Sequence, residues 1–216
     1  ADLPVFLVER DEASLARGIA NLEKIFSGAV AKGKLTQDEA QARMAGIKGS
    51  IDYGALADCD LVIEAVYEDL AVKQAAFKEI ARVCRPDAIL ATNTSYTDPR
   101  QISGGIPDTS RFLGLHFFSP AHVMKLLEIV PLPETKPDVL ATAFALARKL
   151  EKLPVRSGIC DGFIGNRILR RYIAEAIGLL VNGVSISAID AAMREFGFAM
   201  GPFEMQDMAG LDISYM

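Results

Sequence analysis

Basic charge is scarce in these 216 residues: 23 Lys and Arg stand against 28 Asp and Glu, a net charge of −5. Nucleic-acid binding needs a basic stripe to neutralise phosphates, and none is available. Clusters such as Arg167, Arg170 and Arg171 read as an ordinary helix face. Cysteine is scarcer still. Cys59, Cys84 and Cys160 are odd in number and widely spaced. They fit neither a disulfide framework nor a zinc site and point to a reducing cytosol. No apolar run reaches ~18 residues, so no membrane-spanning helix is expected. The opening ADLPVFLVERD has neither a basic leader region nor a cleavage pattern and reads as a chain entered mid-strand. Internal repeats and low-complexity segments are absent, as are a G-x-G-x-x-G stretch and any lysine beyond Lys152.

What is present is apolar. Half the residues are hydrophobic, enough to bury a sizeable core in one domain or in one domain plus part of another. Short apolar runs at 5–8, 60–65, 88–92 and 112–118 predict buried strands, with a further short strand at 47–51. Helical periodicity over 11–32, a Thr36–Glu39 capping box opening a helix to about 45, and helices near 70–84 and 137–150 fall between them. Continuous apolar strands alternating with amphipathic helices imply parallel strands covered on both faces, the doubly wound α/β pattern. Residues 124–130 follow His116 too closely for a helical crossover, which predicts an antiparallel addition to the sheet, and 153–156 a last strand. Beyond Gly158 only helices are expected, near 163–182, 187–196 and 203–209. The predicted organisation is therefore an α/β domain over 1–158 and part of an all-α domain over 159–216.

Ligands of doubly wound sheets sit outside the carboxyl ends of the strands. Glu9, Glu64, Glu68, the 93–95 stretch (Asn93, Thr94, Ser95) and His116 all fall at such ends. Glu9 is either a plain surface carboxylate or the acidic residue that binds an adenosine ribose after a second strand, in which case a first strand and glycine loop would precede Ala1. His116 and Glu128 admit two readings as well. One is a buried histidine with a single hydrogen bond and an unrelated edge glutamate. The other is a dyad: the twelve-residue spacing, broken at Ser119-Pro120, lets adjoining strands bring both side chains to one end of the sheet. A carboxylate there fixes the imidazole tautomer and favours its protonation, as removing a proton from an alcohol requires. Ser95 could cap a helix or offer a hydroxyl. Asn166 could be an interdomain polar residue or a contributor to the same place.

NTS at 93–95, GLHFFSPAHVMKLLEIV at 114–130, DGFIGNRIL at 161–169 and MGPFEMQDMAGLD at 200–212 together resemble the 3-hydroxyacyl-CoA dehydrogenase family. The likeness covers nearly the whole chain. Ser119, His122 and the CDGFIGNR stretch resemble most the dehydrogenase part of multifunctional fatty-acid oxidation proteins. The resemblance implies a Rossmann-like NAD domain lacking its first strand and glycine loop, and a partial helical domain. It implies oxidation of (3S)-3-hydroxyacyl-CoA with NAD in β-oxidation, with His116 as general base, Glu128 as its orienting partner, and Ser95 and Asn166 around the substrate oxygen. It puts Glu9, Glu68, Lys73, Asn93, Ser95 and Ser119 along the dinucleotide, Ser119 replacing an Asn usual at the nicotinamide end. Lys32 and Lys34 could meet CoA phosphates. No metal is implied. The partners implied are an acyl-CoA, a second copy in a homodimer and a fused enoyl-CoA hydratase module. The compartment implied is the cytoplasm of a bacterium, or the peroxisome or mitochondrion of a eukaryote.

Without the glycine loop, NAD affinity of this chain is expected to be impaired, since the pyrophosphate normally rests on the backbone N–H groups of that loop. Two other readings compete. One is a non-catalytic fragment or crystallin-like structural relative, motivated by the same missing loop. The other is a hydroxyacid dehydrogenase using a helical-domain lysine, which the lack of lysine beyond Lys152 opposes.

Overall fold

The computed structural model describes residues 3–209, so the last part of the fourth motif lies outside the described residues. The chain forms two compact units, residues 1–160 and 161–216.

In the first unit, β1 (Val5–Val8) leads into α1 (Glu12–Ala31), α2 (Gln37–Ala45) and β2 (Ile47–Ser50). Then follow β3 (Leu61–Glu64), α3 (Leu70–Val83), β4 (Ile89–Thr92), the single-turn α4 (Pro99–Ile102), β5 (Phe112–Phe117), β6 (Leu126–Pro131), α5 (Pro137–Lys149) and β7 (Leu153–Arg156). Side-chain caps start the helices where the sequence offers them. Asp11 accepts from the Ser14 amide, Asp69 from the Val72 amide, and Thr36 and Glu39 exchange both bonds of a capping box.

The strands do not join into one sheet. β1 pairs in parallel with β2 alone, while the other five follow the order β3-β4-β5-β6-β7. All pairs in the larger sheet are parallel except β5 with β6, which is antiparallel. The predicted single doubly wound sheet is thus divided. With it goes the expectation that 5–8 is a buried strand: Val5 and Phe6 are 46% and 40% exposed. The reason is that β1 has one strand neighbour among the described residues instead of two, so its apolar run is covered only in part.

In the larger sheet, alternation along each strand sorts side chains to two faces. Val62, Leu90 and Phe112 pack with Phe77 and Ile80 of α3, Phe77 meeting Phe112 edge to face at 5.1 Å. Leu113, Leu115, Leu127 and Ile129 pack on the opposite face against Val139, Ala143 and Ala147 of α5. Each large side chain so enclosed contributes about 1.5–3 kcal/mol. At the carboxyl ends of the strands the α3-facing row turns from Val62, Leu90 and Phe112 to Glu64, Thr92 and His116.

The second unit contains α6 (Gly165–Val181), α7 (Ile186–Phe196) and α8 (Pro202–Ala209). Gly162 precedes α6 with φ of +69°, and a Cβ there would lie 2.9 Å from the Arg167 amide nitrogen. Gly197 ends α7 in the left-handed conformation. Asp190, buried in α7, accepts from the Phe203 amide and ties α8 to it.

Candidate active site

His116 and Glu128 are register partners on β5 and β6. Both therefore face the same side of the sheet, and they sit 3% and 0% exposed. His116 Nδ1 lies 2.6 Å from Glu128 Oε2. An ionised carboxylate only accepts, so the proton resides on Nδ1 and Nε2 is the ring's basic nitrogen. The Phe118 ring lies 4.5 Å from the imidazole, centre to centre. Close approach of the two strands depends on Gly114, where a Cβ would come 3.0 Å from the Val130 Cβ.

A second polar cluster occupies the ends of β3 and β4. Glu64 accepts from Lys73 Nζ at 2.9 Å, from Thr92 Oγ1 at 2.7 Å and from the Val66 amide at 2.7 Å. Lys73 sits on the buried stripe of α3, 0% exposed, and also meets Glu68 at 3.2 Å and the Asn93 carbonyl at 3.4 Å. Glu68 is bonded by the hydroxyls of Thr94 and Thr97. Burial raises its carboxyl, but the Thr94 bond and the Lys73 charge outweigh that and leave it below the usual glutamate value. The Asn93 amide donates to the Glu64 carbonyl at 2.7 Å, and its side-chain oxygen accepts from the Phe117 amide at 3.1 Å.

Ser95 is half-buried in the bend after β4, and Asp98, not Ser95, caps the following turn. Ser119 is exposed and precedes the cis peptide bond to Pro120. Glu9 follows β1 on the smaller sheet, its amide bonded to the Ser50 carbonyl. Lys32 and Lys34 are exposed just after α1. Asn166 belongs to the second unit, half-buried in the first turn of α6.

Sequence reasoning gave no role to Glu64, Thr92 or Lys152. The Lys152 ammonium donates to the carbonyls of Ala121 and Met124 and so holds the turn after Ser119. An acidic residue ending the apolar run LVIE was the available signal for Glu64. Lys152 had none, because its acceptors lie about thirty residues away in the chain. Among the described residues there is no His, Cys, Asp and Glu group able to hold a metal, and no helix long and apolar enough to cross a membrane.

Comparison with known proteins adds independent information. Residues 1–160 match the NAD-binding domain of 3-hydroxyacyl-CoA dehydrogenase, and residues 162–216 match its C-terminal domain. The peroxisomal bifunctional enzyme of Cavia porcellus is 42% identical over 99% of this chain, which spans 29% of that relative. The human enzyme of the same name is 38% identical, with 30% of its length spanned. M. tuberculosis FadB2 superimposes with a TM-score of 0.93 at 35% identity, covering 97% of this chain and 75% of FadB2. A 3-hydroxybutyryl-CoA dehydrogenase of Escherichia coli gives 0.92 at 39% identity, covering 97% of this chain and 45% of the other. An α/β NAD-binding domain followed by a helical C-terminal domain, matched along nearly the whole sequence, makes this chain a member of the 3-hydroxyacyl-CoA dehydrogenase family.

Proposed function

We propose that the protein oxidises (3S)-3-hydroxyacyl-CoA to 3-oxoacyl-CoA in fatty-acid β-oxidation, with NAD as acceptor. The observation that carries this is the enclosed His116–Glu128 pair, 2.6 Å apart at the end of a parallel sheet. Nε2 of His116 takes the proton of the 3-hydroxyl as the carbonyl forms. Glu128 keeps the ring in the tautomer that leaves Nε2 basic and stabilises the imidazolium that results. Bound NAD supplies the acceptor for the hydride leaving C3.

The residues fit such a dinucleotide in chemistry and position. Asn93, Ser95 and Glu68 offer an amide, a hydroxyl and a carboxylate just past the carboxyl ends of parallel strands, where these folds bind ligands. Glu9 would meet the adenosine ribose and Ser119 the nicotinamide end, with Lys73 supporting Glu68 and Asn93 from beneath. Ser95 and Asn166 would bond the substrate oxygen, and Lys32 and Lys34 would meet CoA phosphates. Residues 1–158 would act as the cofactor domain and 159–216 as part of the helical one.

The names of the relatives, bifunctional and peroxisomal, support a second activity fused to the dehydrogenase, which in this reading is an enoyl-CoA hydratase module, and a peroxisomal setting if the source is a eukaryote. In a bacterium the setting would be the cytoplasm. A second copy of the chain is a further partner in this reading, as the family resemblance implies.

The test is His116→Gln in the product of the complete reading frame. Turnover of acetoacetyl-CoA and NADH, the reverse reaction in which His116 returns the proton, should fall ~10²–10⁴-fold, as for loss of a positioned acid–base group. Near-normal turnover would overturn the assignment.

A further inference from the structure

The loop that joins β5 to β6, and so the His116 strand to the Glu128 strand, sends no side chain into the core. Every residue from 119 to 125 is exposed. Without buried apolar contacts, the shape of such a loop rests on its polar bonds. Two of them are internal. The Val123 and Met124 amides both donate to the Pro120 carbonyl, at 2.9 and 3.0 Å, and close a single helical turn. Carbonyls at the end of a helical turn have no amide ahead of them and stay open as acceptors.

Lys152 satisfies them. Its ammonium donates to the Ala121 carbonyl and, at 2.7 Å, to the Met124 carbonyl. A cation that gathers the last carbonyls of a turn caps it, and charge-assisted bonds are the stronger kind. The backbone is arranged to present this side chain. α5 ends at Lys149, and Glu151 reverses the chain with φ of +56°, a conformation uncommon outside glycine. The Lys152 amide then bonds back to the Ala147 carbonyl, and the Leu153 amide takes the Lys125 carbonyl at 2.8 Å, where β6 begins beside β7. The His116–Glu128 pair does not need this grip, because the β5–β6 register fixes it. Ser119 does. It adjoins Pro120, whose carbonyl closes the turn, and belongs to no strand or helix.

Resting on the function proposed above, which puts Ser119 at the nicotinamide end of the dinucleotide, we propose that Lys152 is a positioning residue for that end of the cofactor. By capping the 120–124 turn it holds Ser119 in place before NAD arrives. A loop already ordered in its bound shape costs less to bind, so the grip contributes to affinity for the nicotinamide half and to the aim of the hydride transfer. The adenosine half, assigned to Glu9 on the smaller sheet, gains nothing from it.

The experiment compares Lys152→Met and Lys152→Arg with the parent in the product of the complete reading frame. Calorimetry gives the Kd of NADH and of ADP-ribose, which lacks the nicotinamide, and steady-state oxidation of (3S)-3-hydroxybutyryl-CoA gives kcat. Lys152→Met keeps the aliphatic stem and removes the cation. It should weaken NADH ~10-fold and leave ADP-ribose within about threefold. Its kcat should fall ~10-fold, as for a misplaced reacting group. Lys152→Arg keeps a cationic donor and should recover most of both losses. Equal weakening of NADH and ADP-ribose would make Lys152 a general support of the fold and overturn the proposal. An arginine variant no better than the methionine one at unchanged Tm would overturn it too. Should Lys152→Met fail to fold, Lys152→Gln decides alone, and an unchanged ratio of the two Kd values there refutes the idea. If His116→Gln is inactive while Lys152→Met binds and turns over like the parent, the inference fails and the function stands. If His116→Gln is active, the function itself fails and the inference falls with it.

Discussion

Replacing Glu128 by Gln tests the dyad with the least disturbance of shape. The side chain is 0% exposed and 2.6 Å from His116, so the substitution removes a charge and keeps an acceptor. When Nε2 takes the substrate proton, the ring becomes cationic with its charge about 4 Å from the carboxylate. At an effective dielectric near 20, that pair is worth about 4 kcal/mol. A barrier change of that size is roughly three decades in rate. The amide oxygen still accepts from Nδ1–H and recovers part of it, which leaves an expected loss of ~10²–10³-fold in kcat. KM should hardly move, because the charge pair exists only once the proton has been transferred. Steady-state oxidation of (3S)-3-hydroxybutyryl-CoA, followed by the gain of NADH absorbance, reads both constants. A kcat within about threefold of the parent, or a loss confined to KM, would refute the reasoning.

Three further outcomes follow. Gly114→Ala places a methyl 3.0 Å from Val130 Cβ, so the β5–β6 pairing must shift. Overpacking of this kind costs about 1–3 kcal/mol, read as a lowered Tm, and the activity loss should exceed the folding loss because His116 and Glu128 share that pairing. The Glu68 carboxyl is held below its ordinary value of 4.5 in the folded state, so its stabilising contribution is present above that pH and fades as pH falls through the folded value. The Tm gap between the parent and Glu68→Gln should therefore shrink on acidification below 4.5; a gap independent of pH would contradict this. NADH titrated into the 216-residue chain should bind weakly, for want of a G-x-G-x-x-G among its residues; tight saturable fluorescence enhancement would show the site completed in another way.

Much of the scaffold was legible in the sequence because its signals are local. The Thr36–Glu39 pattern is read within one turn and forms the capping box seen at α2. The apolar runs at 88–92 and 112–118 contain strands covered on both sides, and residues 124–130, too close to His116 for a helical crossover, return antiparallel as β6 beside β5. The same rule misjudged 5–8, because an apolar run states what a strand could bury and not how many neighbours it acquires. Lys73 was placed along the dinucleotide by the family resemblance, and its burial was not foreseen. Its enclosure depends on Glu64 nine residues before it and Asn93 twenty after, a distance over which helical periodicity carries no information.

By itself, then, the sequence determined the chemical inventory: one imidazole and one carboxylate twelve residues apart on two adjoining apolar segments, each alternating its side chains with a period of two. Only the tertiary structure decided the register that makes the dyad a 2.6 Å hydrogen bond, the division of the sheet, and the path from Glu64 through Lys73 and Asn93 to the backbone beside His116. The physical reason is range. Propensity and patterning act over a few residues, whereas a buried charge is satisfied by whichever distant group packing brings within about 3 Å.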